Sequence, residues 1–258
     1  MKLHVREAGP ATPTEELPLV IIHGLFGSGD NWSSIARELP EVRCLMPDLL
    51  NHGASPHSND FTLESMADDV IETLDGAGVR QFAVMGHSLG GKIALLVALK
   101  APERVRRLVV LDVAPKVYQE RHRFIIEALQ KVAAAGCESR KEADEILAEE
   151  IPQRPIRAFL LKNFVPTDDG YQWRINLDAL DRRYPELVSW PSLDASFPGP
   201  SLVIAGGQST YVTPEDEALF RRYLAAFEMH VLPNAGHWVH TDDRQGFLTH
   251  LRRFLLAS

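Results

Sequence analysis

Gly86-His87-Ser88-Leu89-Gly90 is the stretch that decides the fold, because of what stands on either side of it. A strand-like apolar run, Phe82-Ala83-Val84-Met85, precedes it, and a helix-like run at 93–99 follows it. This is a G-x-S-x-G pattern in the order strand, tight turn, helix, and such a turn holds a serine hydroxyl exposed. The two glycines leave room where a side chain would collide with neighbouring backbone. The sequence therefore predicts that Ser88 is a nucleophile.

Short apolar runs recur along the chain and do not alternate with polar residues, which is typical of strands buried on both faces of a parallel sheet. Segments with helical spacing separate them, such as 63–74, for which Thr62 is the expected N-cap. The stretch 3–7 alternates and predicts an antiparallel edge strand. Strands that alternate with helices indicate a three-layer α/β sandwich. The predicted parallel strands are 19–22, 42–46, 82–85, 108–111, 202–205 and 229–232.

The stretch 118–190 interrupts this rhythm, because it shows helical patterns broken by prolines and no convincing buried strand. It separates the fourth and fifth of the parallel strands, so we expect it to lie over the carboxyl edge of the sheet, where ligands of α/β proteins bind. Its charge density and prolines favour a cap over an extension of the core. The predicted domains are a core, residues 1–115 and 198–258, and a helical cap, residues 116–197, here termed the insertion.

Composition and charge exclude several classes of protein. The 27 Lys and Arg against 35 Asp and Glu give a net charge of −8, which disfavours binding to nucleic acids and to anionic membranes. Cys44 and Cys137 are expected to be free thiols in a reducing compartment. The charged start of the chain does not suit a signal peptide, and no apolar run approaches the ~18 residues of a membrane span. The predicted location is the cytoplasm.

Neither a metal nor a cofactor is predicted. The chain has no H-E-x-x-H motif and no spaced Cys/His cluster, and Ile93 follows Lys92 where a P-loop needs Ser or Thr. Lys92 itself stands in the central helix, so we expect it to form a buried ion pair with a partner that the sequence does not name.

Ser88 needs a general base, and His237 is the best-placed histidine. It stands in Pro233-Asn234-Ala235-Gly236-His237-Trp238, directly after the last predicted strand, from which a short loop can bring the imidazole to Ser88. The side chain of His87 must point away from Ser88, and His240 is expected on the following helix. His23 and His52 lie in loops, where hydrogen bonding to backbone is the alternative role.

His237 in turn needs a carboxylate that orients its ring. The loop after the penultimate strand has Ser209 where an aspartate would be expected, so the acid must come from elsewhere. Asp112 ends the strand before it, at the same edge of the sheet. Asp216 is the other candidate, but it is expected within a helix. Asp112 is therefore preferred.

The negative oxygen formed during acyl transfer needs two backbone N–H donors. Leu89, directly after the nucleophile, is expected to supply one. The other is expected from the loop after the first parallel strand, where Leu25 is the first choice and Phe26 the second.

Four motifs together resemble the α/β-hydrolase superfamily and, within it, the ybfF-type serine esterases, a branch that includes mitochondrial abhydrolase-domain relatives. They are His23-Gly24-Leu25-Phe26-Gly27-Ser28, Asn51-His52-Gly53-Ala54-Ser55-Pro56, Gly86-His87-Ser88-Leu89-Gly90-Gly91-Lys92 and Gly236-His237. The resemblance covers nearly the whole chain and is weakest across the insertion. It implies an α/β-hydrolase fold, with a mostly parallel central sheet flanked by helices and a helical cap inserted after the sixth strand. It also implies an acid at Asp112 and a serine at Ser209.

The predicted function is hydrolysis of carboxylic esters through Ser88, His237 and Asp112, with an acyl-enzyme intermediate. The resemblance implies short-to-medium acyl esters and acyl-CoA thioesters as substrates. The alternatives are a perhydrolase, a carbon–carbon hydrolase, a lactonase, an acyltransferase or a non-catalytic binder of small molecules. Aromatic residues of the insertion either line an acyl pocket or form its own core. Residues expected to contact substrate are His23, Gly24, His87, Ser209 and Trp238.

Overall fold

A central sheet organises the protein, which the computed structural model describes over residues 1–10 and 17–256. The strands in this part of the chain are β1 (Val5–Ala8), β2 (Leu19–Ile22), β3 (Cys44–Pro47), β4 (Phe82–His87), β5 (Val105–Leu111), β6 (Phe164–Thr167), β7 (Gly170–Trp173), β8 (Phe197–Gly206) and β9 (Leu224–Leu232).

Seven of these strands form the main sheet, in the order β1-β3-β2-β4-β5-β8-β9. Strand β1 is antiparallel to β3, and every other neighbouring pair is parallel. The predicted mostly parallel sheet with an antiparallel edge strand is thus confirmed. Because β4 lies between β2 and β5, the carboxyl ends of these three strands meet at one edge.

Helices cover both faces of the sheet. They are α1 (Ser33–Ala36), α2 (Leu63–Gly76), α3 (Leu89–Lys100), α4 (Arg123–Ala135), α5 (Arg140–Glu150), α6 (Arg154–Leu160), α7 (Leu177–Arg182), α8 (Tyr184–Val188), α9 (Glu217–Tyr223), α10 (Val239–Asp242) and α11 (Arg244–Leu256). Thr62 begins α2 as predicted, since its side chain accepts the Ser65 N–H at 3.1 Å.

Alternate residues of the inner strands of the main sheet belong to two separate cores. Val20 and Ile22 pack with α2 and α3 on one face. Leu19 and Ile21 pack on the other face with α1 and α11. Because both faces of β2 are buried, the strand is apolar without alternation.

Two expectations about the insertion need correction. It follows β5 and not a sixth strand, because the described chain forms only five strands before residue 116. It also contains the antiparallel pair β6–β7, although no convincing buried strand was predicted there. Phe164 is the one buried residue of this hairpin, and Gly170, which begins β7 after the turn, has a φ of +110°. The hairpin lies apart from the main sheet, and α4 to α8 form the rest of the insertion.

Candidate active site

Ser88 occupies a strained turn between β4 and α3. Its φ is 55° and its ψ is −122°, a conformation that residues with a side chain rarely adopt. Close backbone approach explains the two flanking glycines. A Cβ on Gly86 would lie 1.9 Å from the Gly90 oxygen, and one on Gly90 would lie 2.3 Å from the Ile22 oxygen. The turn therefore requires glycine at both positions, and it presents Ser88 at the carboxyl edge of the sheet.

His237 and Asp112 are brought together at the same edge. His237 Nδ1 lies 2.7 Å from Asp112 Oδ2, so the ring donates a hydrogen bond to the carboxylate. This contact leaves Nε2 as the nitrogen that can exchange a proton with another group. Asp112 is fully buried, and it ends β5 with a φ of 46°. The structure thus joins the predicted base to the first of the two predicted acids.

Asp112 is held by two further donors. Its Oδ1 accepts the Gly206 N–H at 2.9 Å, and its Oδ2 also accepts the hydroxyl of Ser209. Ser209 was expected to contact substrate, but its hydroxyl is engaged with Asp112. Asp216 is engaged elsewhere, because its carboxylate pairs with Lys116 Nζ at 2.6 Å. Asp216 is therefore not available as the partner of His237.

Two buried histidines fix the loop that follows β2. His23 donates from Nδ1 to Gly24 O at 2.8 Å and accepts the Leu49 N–H at Nε2 at 2.9 Å. His52 donates from Nδ1 to Leu50 O and accepts the Phe26 N–H at 3.2 Å. Burial lowers the pKa of both, that of His52 to about 3, so they stay neutral and keep these roles.

These hydrogen bonds distinguish between Leu25 and Phe26, the two candidates for the second oxyanion donor. The Phe26 N–H is directed to His52, so Leu25 remains as the candidate donor from this loop. Leu89 begins α3, so its N–H has no partner within the helix. His23 was expected to contact substrate, but both of its ring nitrogens bind backbone.

His87, Gly24 and Trp238 have three different positions around Ser88. His87 is buried, and its Nε2 lies 2.7 Å from the His237 oxygen, so it fixes the backbone of the histidine loop and offers substrate no free Nε2. Gly24 lies so near Ser88 that a Cβ on it would be 3.3 Å from the Ser88 Cβ. Trp238 packs against Phe159 of the insertion, with ring centroids 5.4 Å apart, and borders the cavity above the site.

Two cavities share Ser88 and Leu25 in their walls. The larger compartment, about 750 Å³, is lined by core residues that include His237 and Trp238 and by residues from α4 and α6. The smaller compartment measures about 50 Å³, and its lining includes Leu89, Lys92, Val113, Tyr118, Leu187 and Val188. His237 borders the larger compartment and not the smaller one.

Lys92 does not form the expected ion pair. Its Nζ donates to the backbone oxygens of Val188 at 2.9 Å and Ser189 at 2.6 Å, and it lies 4.9 Å from the centroid of the Tyr118 ring. Burial lowers the pKa of Lys92 to about 7. The expectation was wrong because backbone oxygens at the end of α8, remote in sequence, take the place of a carboxylate.

Tyr211 is a site residue that the sequence did not single out. Its ring lies on that of His237 with centroids 3.8 Å apart and planes at 17°. Its hydroxyl lies 3.0 Å from His122 Nε2, just before α4. The order of residues in the chain gives no signal for this contact, because Tyr211 and His237 follow different strands.

Neither a metal-binding cluster nor a membrane-spanning helix is present in the described residues, 1–10 and 17–256. Within them, no group of three or more His, Cys, Asp or Glu residues is arranged to hold a metal ion. None of their helices is long and apolar enough to cross a membrane.

Comparisons with known proteins show the family to which the chain belongs. A family model described as alpha/beta hydrolase fold matches residues 18–135. The chain is 34% identical to the esterase YbfF of Escherichia coli over 257 residues, which is 99% of each chain. It is 38% identical to the sn-1-specific diacylglycerol lipase ABHD11 of Mus musculus over 246 residues, 92% of this chain and 80% of that one.

A solved structure is equally similar. A marine microorganism esterase superposes with a TM-score of 0.93 at 34% identity, and the match covers 98% of this chain and 99% of that one. The chain therefore belongs to the α/β-hydrolase family, among the ybfF-type esterases, and is a hydrolase of the carboxylesterase type.

Proposed function

We propose that the protein hydrolyses carboxylic esters through Ser88, His237 and Asp112. The observation that carries this proposal is the hydrogen bond between His237 and the buried Asp112. His237 and Ser88 line the same cavity. A carboxylate on Nδ1 holds the tautomer whose Nε2 accepts a proton, which is what a base for a serine nucleophile requires. No cofactor takes part in the proposed reaction.

The reaction has two halves. Ser88 Oγ attacks the ester carbonyl while His237 Nε2 takes its proton, and the N–H groups of Leu25 and Leu89 stabilise the negative oxygen. His237 then protonates the leaving alcohol, and the acyl group remains on Ser88. Water attacks this acyl-enzyme with His237 again as base, which releases the acid and restores Ser88.

The two compartments support a proposal for how the substrate is oriented. His237 must reach the leaving oxygen to protonate it, so the leaving group lies in the larger compartment that His237 borders. The acyl chain then enters the smaller one. At ~10–15 Å³ for each non-hydrogen atom, its 50 Å³ holds roughly three to five atoms. The favoured substrates are short acyl esters with a bulky leaving group. The thiol part of a thioester would occupy the same larger compartment.

Residues 116–197 act as a cap in this proposal. Ile125 of α4 and Phe159 of α6 line the larger compartment, and Leu187 of α8 lines the smaller one. The insertion thus contributes apolar walls to both ends of the substrate. Its aromatic residue Phe159 belongs to the pocket, whereas the buried Phe164 stacks with Tyr171 inside the insertion. The cytoplasmic location remains a prediction.

Initial rates on p-nitrophenyl esters from acetate to palmitate, with matching acyl-CoA thioesters, test this function. We expect turnover that Ser88→Ala abolishes, with rates that fall at least about tenfold beyond butyrate or valerate. A fluorophosphonate probe should label wild type and not Ser88→Ala. Folded wild type without labelling or Ser88-dependent turnover would contradict the proposal and favour a non-catalytic binder.

A matched pair of variants tests the orientation of the substrate. Leu187→Ala enlarges the smaller compartment, so its optimum should move to longer acyl chains. Phe159→Ala enlarges the larger compartment and should leave the acyl optimum unchanged while it accepts bulkier alcohols. The reverse pattern would show that the acyl chain occupies the larger compartment.

Transfer of the acyl group to an alcohol is the second candidate. A relative from Saccharomyces cerevisiae, 31% identical over 251 residues, is described as a probable alcohol acetyltransferase. The walls of the larger compartment are mostly apolar, so an alcohol can enter after the first leaving group departs. Added butanol would then divert the acyl group from acid to ester, which gas chromatography detects.

A further inference from the structure

The ring of Tyr211 covers His237. The two ring centroids are 3.8 Å apart and the planes differ by 17°, which is a face-to-face stack. His237 also keeps its hydrogen bond to Asp112 at 2.7 Å. Rotation of the imidazole away from Asp112 would therefore have to displace an aromatic ring from van der Waals contact.

Tyr211 is itself fixed by three contacts. Its hydroxyl lies 3.0 Å from His122 Nε2, and its N–H donates to Ser209 Oγ at 3.2 Å. Its carbonyl oxygen accepts the Tyr118 hydroxyl at 2.8 Å, and that hydroxyl accepts the Ala114 N–H at 2.7 Å. The ring is thus held from its backbone and from its hydroxyl, which makes it a rigid surface for His237.

We propose that Tyr211 is a positioning residue for His237, which holds the imidazole against Asp112 and stabilises the imidazolium that forms during catalysis. This inference rests on the proposed function, in which His237 gains and loses a proton in each half-reaction. The face of an aromatic ring carries partial negative charge, so it attracts a cation placed over it. His237 is uncharged before Ser88 attacks and positively charged afterwards. The stack therefore favours the transition state over the ground state.

Three histidines near His237 are uncharged at neutral pH. Burial lowers the pKa of His87 well below its ordinary range, and lowers that of His122 and of His240 to about 4. Lys92 borders only the smaller compartment and is the same in every variant compared. The groups that face His237 are Asp112 after β5, His87 at the end of β4, His122 before α4, Tyr211, and His240 from α10.

The experiment measures kcat/KM of a short-chain p-nitrophenyl ester as a function of pH. The pKa of the acid limb, which is the rise of kcat/KM from low to neutral pH, is determined from this profile. The variants are Tyr211→Phe, Tyr211→Leu and a series with 4-fluoro-, 3,5-difluoro- and pentafluorophenylalanine at 211. The fluorinated rings keep the shape of phenylalanine and progressively remove the negative charge of its face. They therefore test the electrostatic effect even if Tyr211→Leu fails to fold.

The sign of the expected shift follows from charge. A ring that stabilises the imidazolium makes its proton harder to remove, so loss of the ring should lower the pKa measured for the acid limb. We expect the fluorinated series to lower that pKa stepwise, by about 0.5 in total or more, with a three- to tenfold fall in kcat/KM. Tyr211→Phe should keep the wild-type acid limb. Tyr211→Leu should shift the acid limb like pentafluorophenylalanine.

Two results would overturn the inference, and they are distinguishable. Ser88-dependent turnover with an acid limb that is the same across the fluorinated series would reject the role of Tyr211 and leave the proposed function intact. Absence of Ser88-dependent turnover in wild type would reject the proposed function, and the role of Tyr211 with it.

Discussion

Asp112 is the residue at which burial and hydrogen bonding decide the chemistry. Its carboxylate is fully buried and accepts from Gly206, from Ser209 and from His237. A buried charge is tolerated only where such donors replace water. Three donors on one carboxylate keep it in place, so that it can orient the imidazole and face the positive charge that develops there.

Asp112→Asn should lower kcat by about 10⁴-fold, because an amide neither holds the required tautomer of His237 nor opposes its positive charge. Ser209→Ala removes one donor and leaves the other two, so kcat should fall by about tenfold at most. Both variants are measured on p-nitrophenyl butyrate, with the midpoint of urea unfolding as a control for folding. An equal collapse of activity in two folded variants would mean that Ser209 is as necessary as the acid itself.

At the scale of elements, strands buried on both faces were easier to predict than strands at the edge. The apolar run at 19–22 predicts β2 to the residue. Strand β9 was predicted only from residue 229, because Glu228 interrupts its apolar residues and much of the strand is exposed at the edge of the sheet. Strand β8 begins earlier than predicted. Its first residues, Phe197 to Pro200, were missed because they include a glycine and two prolines, which disfavour strands.

The turn between β4 and α3 has no room for a side chain at Gly86. A Cβ on Gly86 would lie 1.9 Å from the Gly90 oxygen and 2.7 Å from the Gly91 nitrogen, and both are backbone atoms. Gly86→Ala should therefore lower the free energy of unfolding by at least about 3 kcal/mol and abolish activity.

Gly76→Ala is the matched control, because nothing lies within 4 Å of a Cβ at that position near the end of α2. It should leave activity unchanged and raise the free energy of unfolding by about 0.5 kcal/mol, since alanine restricts the unfolded chain. Urea unfolding of wild type and both variants measures these changes in the free energy of unfolding. A Gly86→Ala protein as stable and active as wild type would mean that the turn can widen without cost.

At the scale of the whole molecule, the position of a residue could be predicted from the sequence where the residue stands directly after a parallel strand. Ser88, Asp112 and His237 could be nominated in this way, because parallel strands end at a common edge. The contacts of Tyr211 with His237 and of Lys92 with Val188 could not, since they depend on how remote segments pack. The same holds for His52, whose hydrogen bond to Phe26 separates the two oxyanion candidates.

Lys92 joins the core to the insertion, and its burial has a consequence for stability. The side chain extends from α3 to the oxygens of Val188 and Ser189, and the residue is only 3% exposed. Burial lowers its pKa from 10.5 to about 7. A neutral amine still has two N–H groups, one for each oxygen, so the link between α3 and α8 persists after the proton is lost.

The stability that Lys92 contributes depends on pH, because the unfolded chain binds the Lys92 proton more tightly than the folded protein does. Between about pH 7 and 10.5 the unfolded chain keeps the Lys92 proton and the folded protein releases it, so the stability that Lys92 contributes rises with pH. Lys92→Met removes this titration and leaves two backbone oxygens without a donor. The unfolding free energy of wild type minus that of Lys92→Met should therefore grow by about 2 kcal/mol from pH 7 to pH 9. Urea unfolding at several pH values measures this difference, and a value independent of pH would mean that Lys92 keeps its proton in the folded protein. A rising difference would instead show that the contact between core and insertion is made by a lysine whose charge is lost near neutral pH.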